Sequence, residues 1–304
     1  MAGQRMKHIP VMLNEMLQAL NPQNGEVYVD ATFGNGGYTK AILEAANCKV
    51  IALDRDPNVK TRANEMKNMY GERFDFRAGC FGNIADLVAE KINGAVFDIG
   101  VSSMQLDEAE RGFSFAKEAA LDMRMSCEGI SAQDIVNTYS EKELADLIYQ
   151  YGEERKSRQI AQKIIEYRRH KYIERTKELA EIIYTVVHKH YGEIDPATRT
   201  FQALRIAVND ELGELERGLK GASERLLPNG RLVVVDFHSL EDRIVKNFMK
   251  ENGGKKIRVS KYAPELVQDD SLFTTVSKAI EPSKAECEAN PRARSAKLRY
   301  AIRR

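Results

Sequence analysis

No apolar run in the 304-residue chain approaches the roughly 20 residues that a helix needs to cross a bilayer. The longest candidates, such as Leu232 to Val235, are strand-sized. The opening stretch, Met1 to Pro10, is basic but lacks the apolar segment of a secretion signal. Cysteine is scarce as well. Cys48, Cys80, Cys127 and Cys287 lie too far apart for paired zinc ligands or a redox CxxC motif. Reduced thiols in a cytoplasmic protein, with no metal site and no membrane contact, are the expectation. The chain has no internal repeat and no low-complexity segment. It also has almost no net charge: 46 Lys+Arg oppose 45 Asp+Glu, giving +1. Any binding of a polyanion must therefore use local patches. What is present, 43% hydrophobic and 30% charged residues, excludes a disordered chain, and the length suits one large domain or two moderate ones.

The first hundred residues alternate helix and strand signals. Leu13, Leu17 and Leu20 share a helical face that Asn21-Pro22-Gln23-Asn24-Gly25 closes with turn residues. Val27 to Asp30 reads as a short buried strand, Val50 to Asp54 as a second, Phe74 to Phe76 as a third and Ala95 to Ile99 as a fourth, with helical patterns between them. Strands apolar on both faces and alternating with helices predict an α/β fold with a doubly wound, mostly parallel sheet. From about residue 105 to Pro196 the pattern holds helices and no strand. Ser131 with Asp134, and Ser140 with Glu143, are spaced as capping boxes. Leu204, Val208, Leu212, Leu215, Leu219, Ala222 and Leu226 then predict one long helix, ended by Pro228-Asn229-Gly230 before a fifth strand, Arg231 to Phe237. Lys256 to Val259 and Ala296 to Ile302 are candidate late edge strands. The expected division is a sheet domain of residues 1–105 and 197–304, with an all-helical insert of residues 106–196.

The segment Asp30-Ala31-Thr32-Phe33-Gly34-Asn35-Gly36-Gly37-Tyr38 places glycines between a strand and a helix, where backbone can approach a ligand. A dinucleotide fingerprint would need glycine where Thr39 stands, and a carboxylate at Asp30 would repel a pyrophosphate. These two features oppose a nicotinamide-dependent oxidoreductase. An acid just ahead of the glycines suits a ligand with a cationic end, such as S-adenosylmethionine with its sulfonium and ammonium. Asp54, ending the second strand, is placed to accept hydrogen bonds from ribose hydroxyls. Asp98, ending the fourth, can face both cofactor and substrate. Asp236 to Arg243 is dense in polar groups, and His238 is the candidate there. Two basic segments are candidate polyanion contacts: Arg292 to Arg304, and the helical stretch holding Arg155, Lys156, Arg158, Lys163, Arg168, Arg169 and Lys171.

Longer strings carry a resemblance. They include His8-Ile9-Pro10-Val11-Met12-Leu13, the Asp30 to Tyr38 loop, Leu53-Asp54-Arg55-Asp56-Pro57 and Phe97-Asp98-Ile99-Gly100-Val101-Ser102-Ser103. Glu110 to Phe115, Leu121 to Met125, Tyr151 to Arg155, Arg199 to Ala203, Asp236 to Arg243 and Asn290 to Ser295 follow in order. Together the chain resembles the bacterial enzymes that methylate N4 of a cytidine in small-subunit (16S) ribosomal RNA. The resemblance implies a class I, Rossmann-like methyltransferase sheet interrupted by a helical, RNA-directed domain, with S-adenosylmethionine as cofactor. Carried over by position, it implies cofactor contacts at Gly36, Gly37, Tyr38, Asp54, Phe81, Asp98 and Gln105, joined by Asp30 and Gly34 from the loop reading. Tyr38 stands where histidine is most often expected, which bears only on a side-chain role. Asp98, Ser102 and His238 are the candidate catalytic group, and Phe113, Phe115 and Arg124 candidate contacts for a splayed base. The implied substrate is a small ribosomal subunit in the cytoplasm, with a homodimer left open. The competing readings are a DNA amino-methyltransferase, opposed by Ile99-Gly100-Val101-Ser102 in place of a Pro-Pro-aromatic motif, and a non-catalytic RNA-binding protein on the same fold.

Overall fold

The computed structural model describes residues 10–102, 105, 108–188, 194–253, 256–257, 266–267 and 271–304, and these fall into two compact units. The first comprises residues 1–100 and 212–304, the second residues 101–211.

The first unit is built on a seven-stranded sheet. Its strands are β1 (Val27–Asp30), β2 (Lys49–Asp54), β3 (Phe74–Ala78), β4 (Ile92–Asp98), β5 (Leu226–Asp236), β6 (Phe273–Val276) and β7 (Lys297–Arg303), in the order β3-β2-β1-β4-β5-β7-β6. The first five run parallel, and β7 and β6 are antiparallel additions. Alternate residues of each strand enter two cores. Tyr28, Val50, Val96 and Val233 lie on one face, and Val29, Ile51, Phe97 and Val234 on the other. This two-sided burial is why the strands read as continuous apolar runs, and each such side chain stabilises the fold by roughly 1.5–3 kcal/mol. Helix α1 (Leu13–Leu20) ends at Asn21, whose φ of 49° puts it in the left-handed region favoured at such ends. The helices that position the site are α2 (Gly37–Ala45), which follows β1, and Ser239–Asn252, which follows β5. Because β1 lies between β2 and β4, the strand order reverses there, and the C-terminal ends of β1 and β4 flank the switch point where open α/β sheets bind ligands.

The second unit is helical: Ala132–Thr138, Glu141–Gly152, Ser157–Arg168, Thr176–Tyr184 and Ala197–Asn209. Both expected capping boxes form, with Ser131 and Ser140 each accepting from the backbone N–H three residues on and receiving the reciprocal bond. The core includes Leu144, Ile148, Ile160, Ile164, Leu179 and Ile183.

Three expectations need correction. The single helix through Leu204 and Leu226 is two, Ala197–Asn209 and Glu211–Arg225, broken at Asp210 with φ 48°. The break is anchored by Asn209, whose buried carboxamide accepts from the Met125 N–H and donates to the carbonyls of Met123 and Arg205. An apolar stripe reports burial, and it continues across a break when both helices are buried, here in different cores. The sheet unit accordingly resumes at residue 212 rather than 197, since Ala197, Phe201 and Leu204 pack in the helical core. Last, Pro228-Asn229-Gly230 lies inside β5: Leu226 already pairs with Ile92, and the register shifts before Gly94 meets Arg231. Of the late strands, Lys297–Arg303 is internal, because Phe273–Val276 takes the edge, whereas Lys256–Ile257 pairs separately with Leu266–Val267.

Candidate active site

Each strand around the switch point ends on an acid: Asp30 on β1, Asp54 on β2, Asp98 on β4 and, beyond it, Asp236 on β5. Asp30 is fully buried. Its Oδ2 accepts from the Thr39 N–H at 3.1 Å and the Thr39 hydroxyl at 2.7 Å, and its Oδ1 accepts from the Thr32 N–H at 3.2 Å. Burial nonetheless raises its carboxyl to about 6. Fully buried and holding three protein donors, Asp30 ties the loop to the start of α2. Thr39, which argued against a dinucleotide site, is its partner.

Asp54 shapes the same loop from the other side. Its Oδ2 accepts from the Gly34 N–H at 2.7 Å and its Oδ1 from the Asp56 N–H at 2.8 Å. Burial pushes its carboxyl to about 6 against the pull of those two bonds. The loop needs its glycines for conformation: Gly34 and Gly36 have φ of 48° and 73°, and a Cβ on Gly36 would stand 2.9 Å from the Phe33 ring. Helix α2 then starts at Gly37, where the first N–H groups of a helix have no intrahelical acceptor.

Asp98 differs from its neighbours. Its N–H donates to the Thr32 hydroxyl at 2.7 Å, which fixes the strand tip, but its Oδ1 is buried without a hydrogen-bond partner. Burial, reinforced by the charges of Asp30 and Glu241, raises its carboxyl to about 8. Asp236 is also buried, with both oxygens unpartnered, and burial with the charges of Asp242 and Glu241 raises it to about 8. Asp236 was passed over for His238 in the sequence. The signal was there, since an acid closing the apolar run Leu232 to Val235 repeats the pattern of Asp30, Asp54 and Asp98. A buried carboxylate oxygen with no donor is costly unless a ligand supplies one.

The model of the MraW methylase family matches residues 5–304 of the chain. The chain belongs to that family. Among curated relatives, the ribosomal RNA small subunit methyltransferases H of Rickettsia massiliae and Rickettsia conorii are each 57% identical over 298 residues, covering 97% of both chains. The crystal structure of an rRNA methylase from Streptococcus thermophilus aligns over 99% of both chains with 12% identity and a TM-score of 0.42. As an MraW-family methylase, the protein uses S-adenosylmethionine as its methyl donor. The tips of β1, β2 and β4 fit that group. Asp54 is placed for ribose hydroxyls, the first N–H groups of α2 for the carboxylate, and the orphaned Asp98 Oδ1 for a cationic centre.

The remaining site residues divide between the units. Phe81 follows β3 in the sheet unit and packs edge-on against Phe97 with centroids 5.6 Å apart. Ser102 and Gln105 lie in the helical unit and hold each other: the Ser102 N–H donates to Gln105 Oε1 at 3.0 Å, and the Gln105 N–H to Ser102 Oγ at 3.2 Å. His238 caps the helix Ser239–Asn252, its Nδ1 accepting from the Glu241 N–H at 3.4 Å while Glu241 Oε2 accepts from the Phe237 and His238 N–H groups. The cap uses Nδ1 only; Nε2 is buried without a hydrogen-bond partner, 3.1 Å from Glu241 Oε1. The expected base contacts are structural. Phe113 is in the helical core, Phe115 stacks edge-on with Phe201, and Arg124 is paired with Asp122.

Proposed function

We propose that this methylase transfers the methyl group of S-adenosylmethionine to the exocyclic N4 of a cytidine in the decoding region of 16S ribosomal RNA, acting in the cytoplasm on the small subunit. The observation that carries the reading is the buried, unpartnered carboxylate oxygen of Asp98 at the point where strand order reverses. It is supported by near-full-length identity to relatives named for small-subunit ribosomal RNA.

Cytosine N4 is a poor nucleophile because its lone pair is delocalised into the ring. When bound, the cofactor supplies an already activated sulfonium methyl. The protein's task is alignment, an orientation effect that can lower the barrier by roughly 7–11 kcal/mol. Asp98 is the group we assign to it. Its carboxylate accepts from the amino hydrogens, localising the nitrogen lone pair, and receives the proton released on transfer. A pKa near 8 suits a group that must hold and then shed a proton near neutrality. Thr32, fixing the Asp98 backbone, keeps this carboxylate in place. The helical unit supplies RNA contact through exposed cations on and beside Ser157–Arg168: Arg155, Arg158 and Arg169. Lys163 and Lys171 are paired with Glu166 and Glu178 and contribute less. Nucleoside mass spectrometry of small-subunit RNA from a deletion strain tests the proposal. Loss of one N4-methylated cytidine, with tritiated methyl transfer to subunits and none to naked DNA, is expected. An unchanged cytidine profile, or transfer to DNA alone, overturns it.

A further inference from the structure

The motif His8 to Leu13 is one of the strings that carry the family resemblance, and it lies outside the strand tips. Pro10 and Val11 meet the start of α2 at two points, and Met12 is held at a third, away from it. The phenol of Tyr38, at 4% exposure, donates to the carbonyl of Val11. A Cβ placed on Gly37 would stand 2.4 Å from Cγ of Pro10, so the proline ring fills the space that any other side chain at this position would need. The Met12 N–H donates to Glu286 Oε1 at 2.5 Å, and Met12 is fully buried with φ 51°, which anchors the segment at its far end. Burial, with the charges of Asp98 and Asp30, raises the Tyr38 phenol well above its ordinary range, so it remains a donor at every working pH.

Glycine at position 37 would ordinarily be read as room for a ligand. Here that room is taken by protein. Likewise Tyr38 is turned into the fold, so any cofactor contact at this position comes from its backbone. We propose that Pro10 and Tyr38 are positioning residues for the methyl donor, clamping the N-terminal segment onto the first turn of α2 so that the Gly37 and Tyr38 N–H groups are held in their binding orientation. This rests on the assignment of the loop to S-adenosylmethionine.

The test is calorimetric binding of S-adenosylmethionine and steady-state kinetics on the full chain, with melting followed by circular dichroism. Tyr38→Phe removes one hydrogen bond and is expected to weaken binding and raise KM for the donor about five- to tenfold, with kcat at saturation within about twofold of wild type. A residue that served stability alone would lower the melting temperature and leave KM unmoved. Gly37→Ala is expected to weaken binding about tenfold or more. Adding Pro10→Gly to Gly37→Ala is expected to recover most of that loss, because the methyl group then takes the vacated ring space. The clamp is overturned if Tyr38→Phe binds the donor as wild type does, or if Pro10→Gly rescues nothing. Failure of the wild-type protein itself to bind S-adenosylmethionine would instead remove the loop assignment on which the clamp stands.

Discussion

The two units treat their carboxylates in opposite ways. In the helical unit Asp122 holds Arg124 through two bonds of 2.8 and 2.9 Å, Asp134 closes the cap with Ser131, and Glu178 receives Lys171 and two backbone N–H groups. The Ser131 bond holds Asp134 below its usual range, and Arg124 and Lys171 do the same for Asp122 and Glu178 against some burial. In the sheet unit burial raises all four acids at the strand tips, and two of them keep oxygens that no protein group satisfies. Among the described residues, no carboxylate of the helical unit is buried and unpartnered in this way. The helical unit's acids are satisfied by the fold, whereas Asp98 and Asp236 bury oxygens that no protein donor meets. The cost is offset by a core on both faces of the sheet.

This contrast gives the pH response of each unit a sign. A carboxyl lowered in the native state stabilises above its unfolded pKa, and that contribution is lost as pH falls, which is the helical unit's pattern. A carboxyl raised to about 8, as Asp98 is, binds its proton more tightly folded than unfolded. Its charging therefore removes stability as pH climbs from about 4 to about 8.

Substitutions on either side sharpen the difference. Asp98→Asn should have the largest effect, lowering kcat/KM by about 100-fold or more. Its melting temperature should match wild type near pH 4, where the carboxyl is protonated both folded and unfolded, and exceed it increasingly as pH rises to about 8. A variant that methylates normally with unchanged donor affinity would break the comparison. Asn209→Ala leaves a buried N–H and two carbonyls without their partner and should cost about 2–3 kcal/mol in urea unfolding. Donor affinity should be unaltered by it. Ser131→Ala, which opens one capping box, should cost about 1 kcal/mol, read in the same unfolding curves.

Much of this division was present in the sequence. Apolar strands closing on Asp30, Asp54 and Asp98 announced a parallel sheet with acids at its tips, and the serine-acid spacings announced two helix starts. The break at Asp210 was hidden because periodicity records which face is buried and not which core it enters. The cap that His238 Nδ1 makes on the Glu241 N–H was hidden for a related reason, since it depends on how the helix begins. The pairing of Asp30 with Thr39, nine residues apart, depends on how the loop turns, which composition does not convey.

The measurement that bears most directly on the central claim is S-adenosylmethionine affinity from pH 6 to pH 9 for the wild-type protein and Asp98→Asn, taken as their ratio so that titration of the ligand itself cancels. A carboxylate that must lose its proton to seat a cation should make that ratio climb by up to tenfold per unit toward pH 8 and then level. A ratio that stays flat across the range would show that Asp98 does not seat the donor's charge.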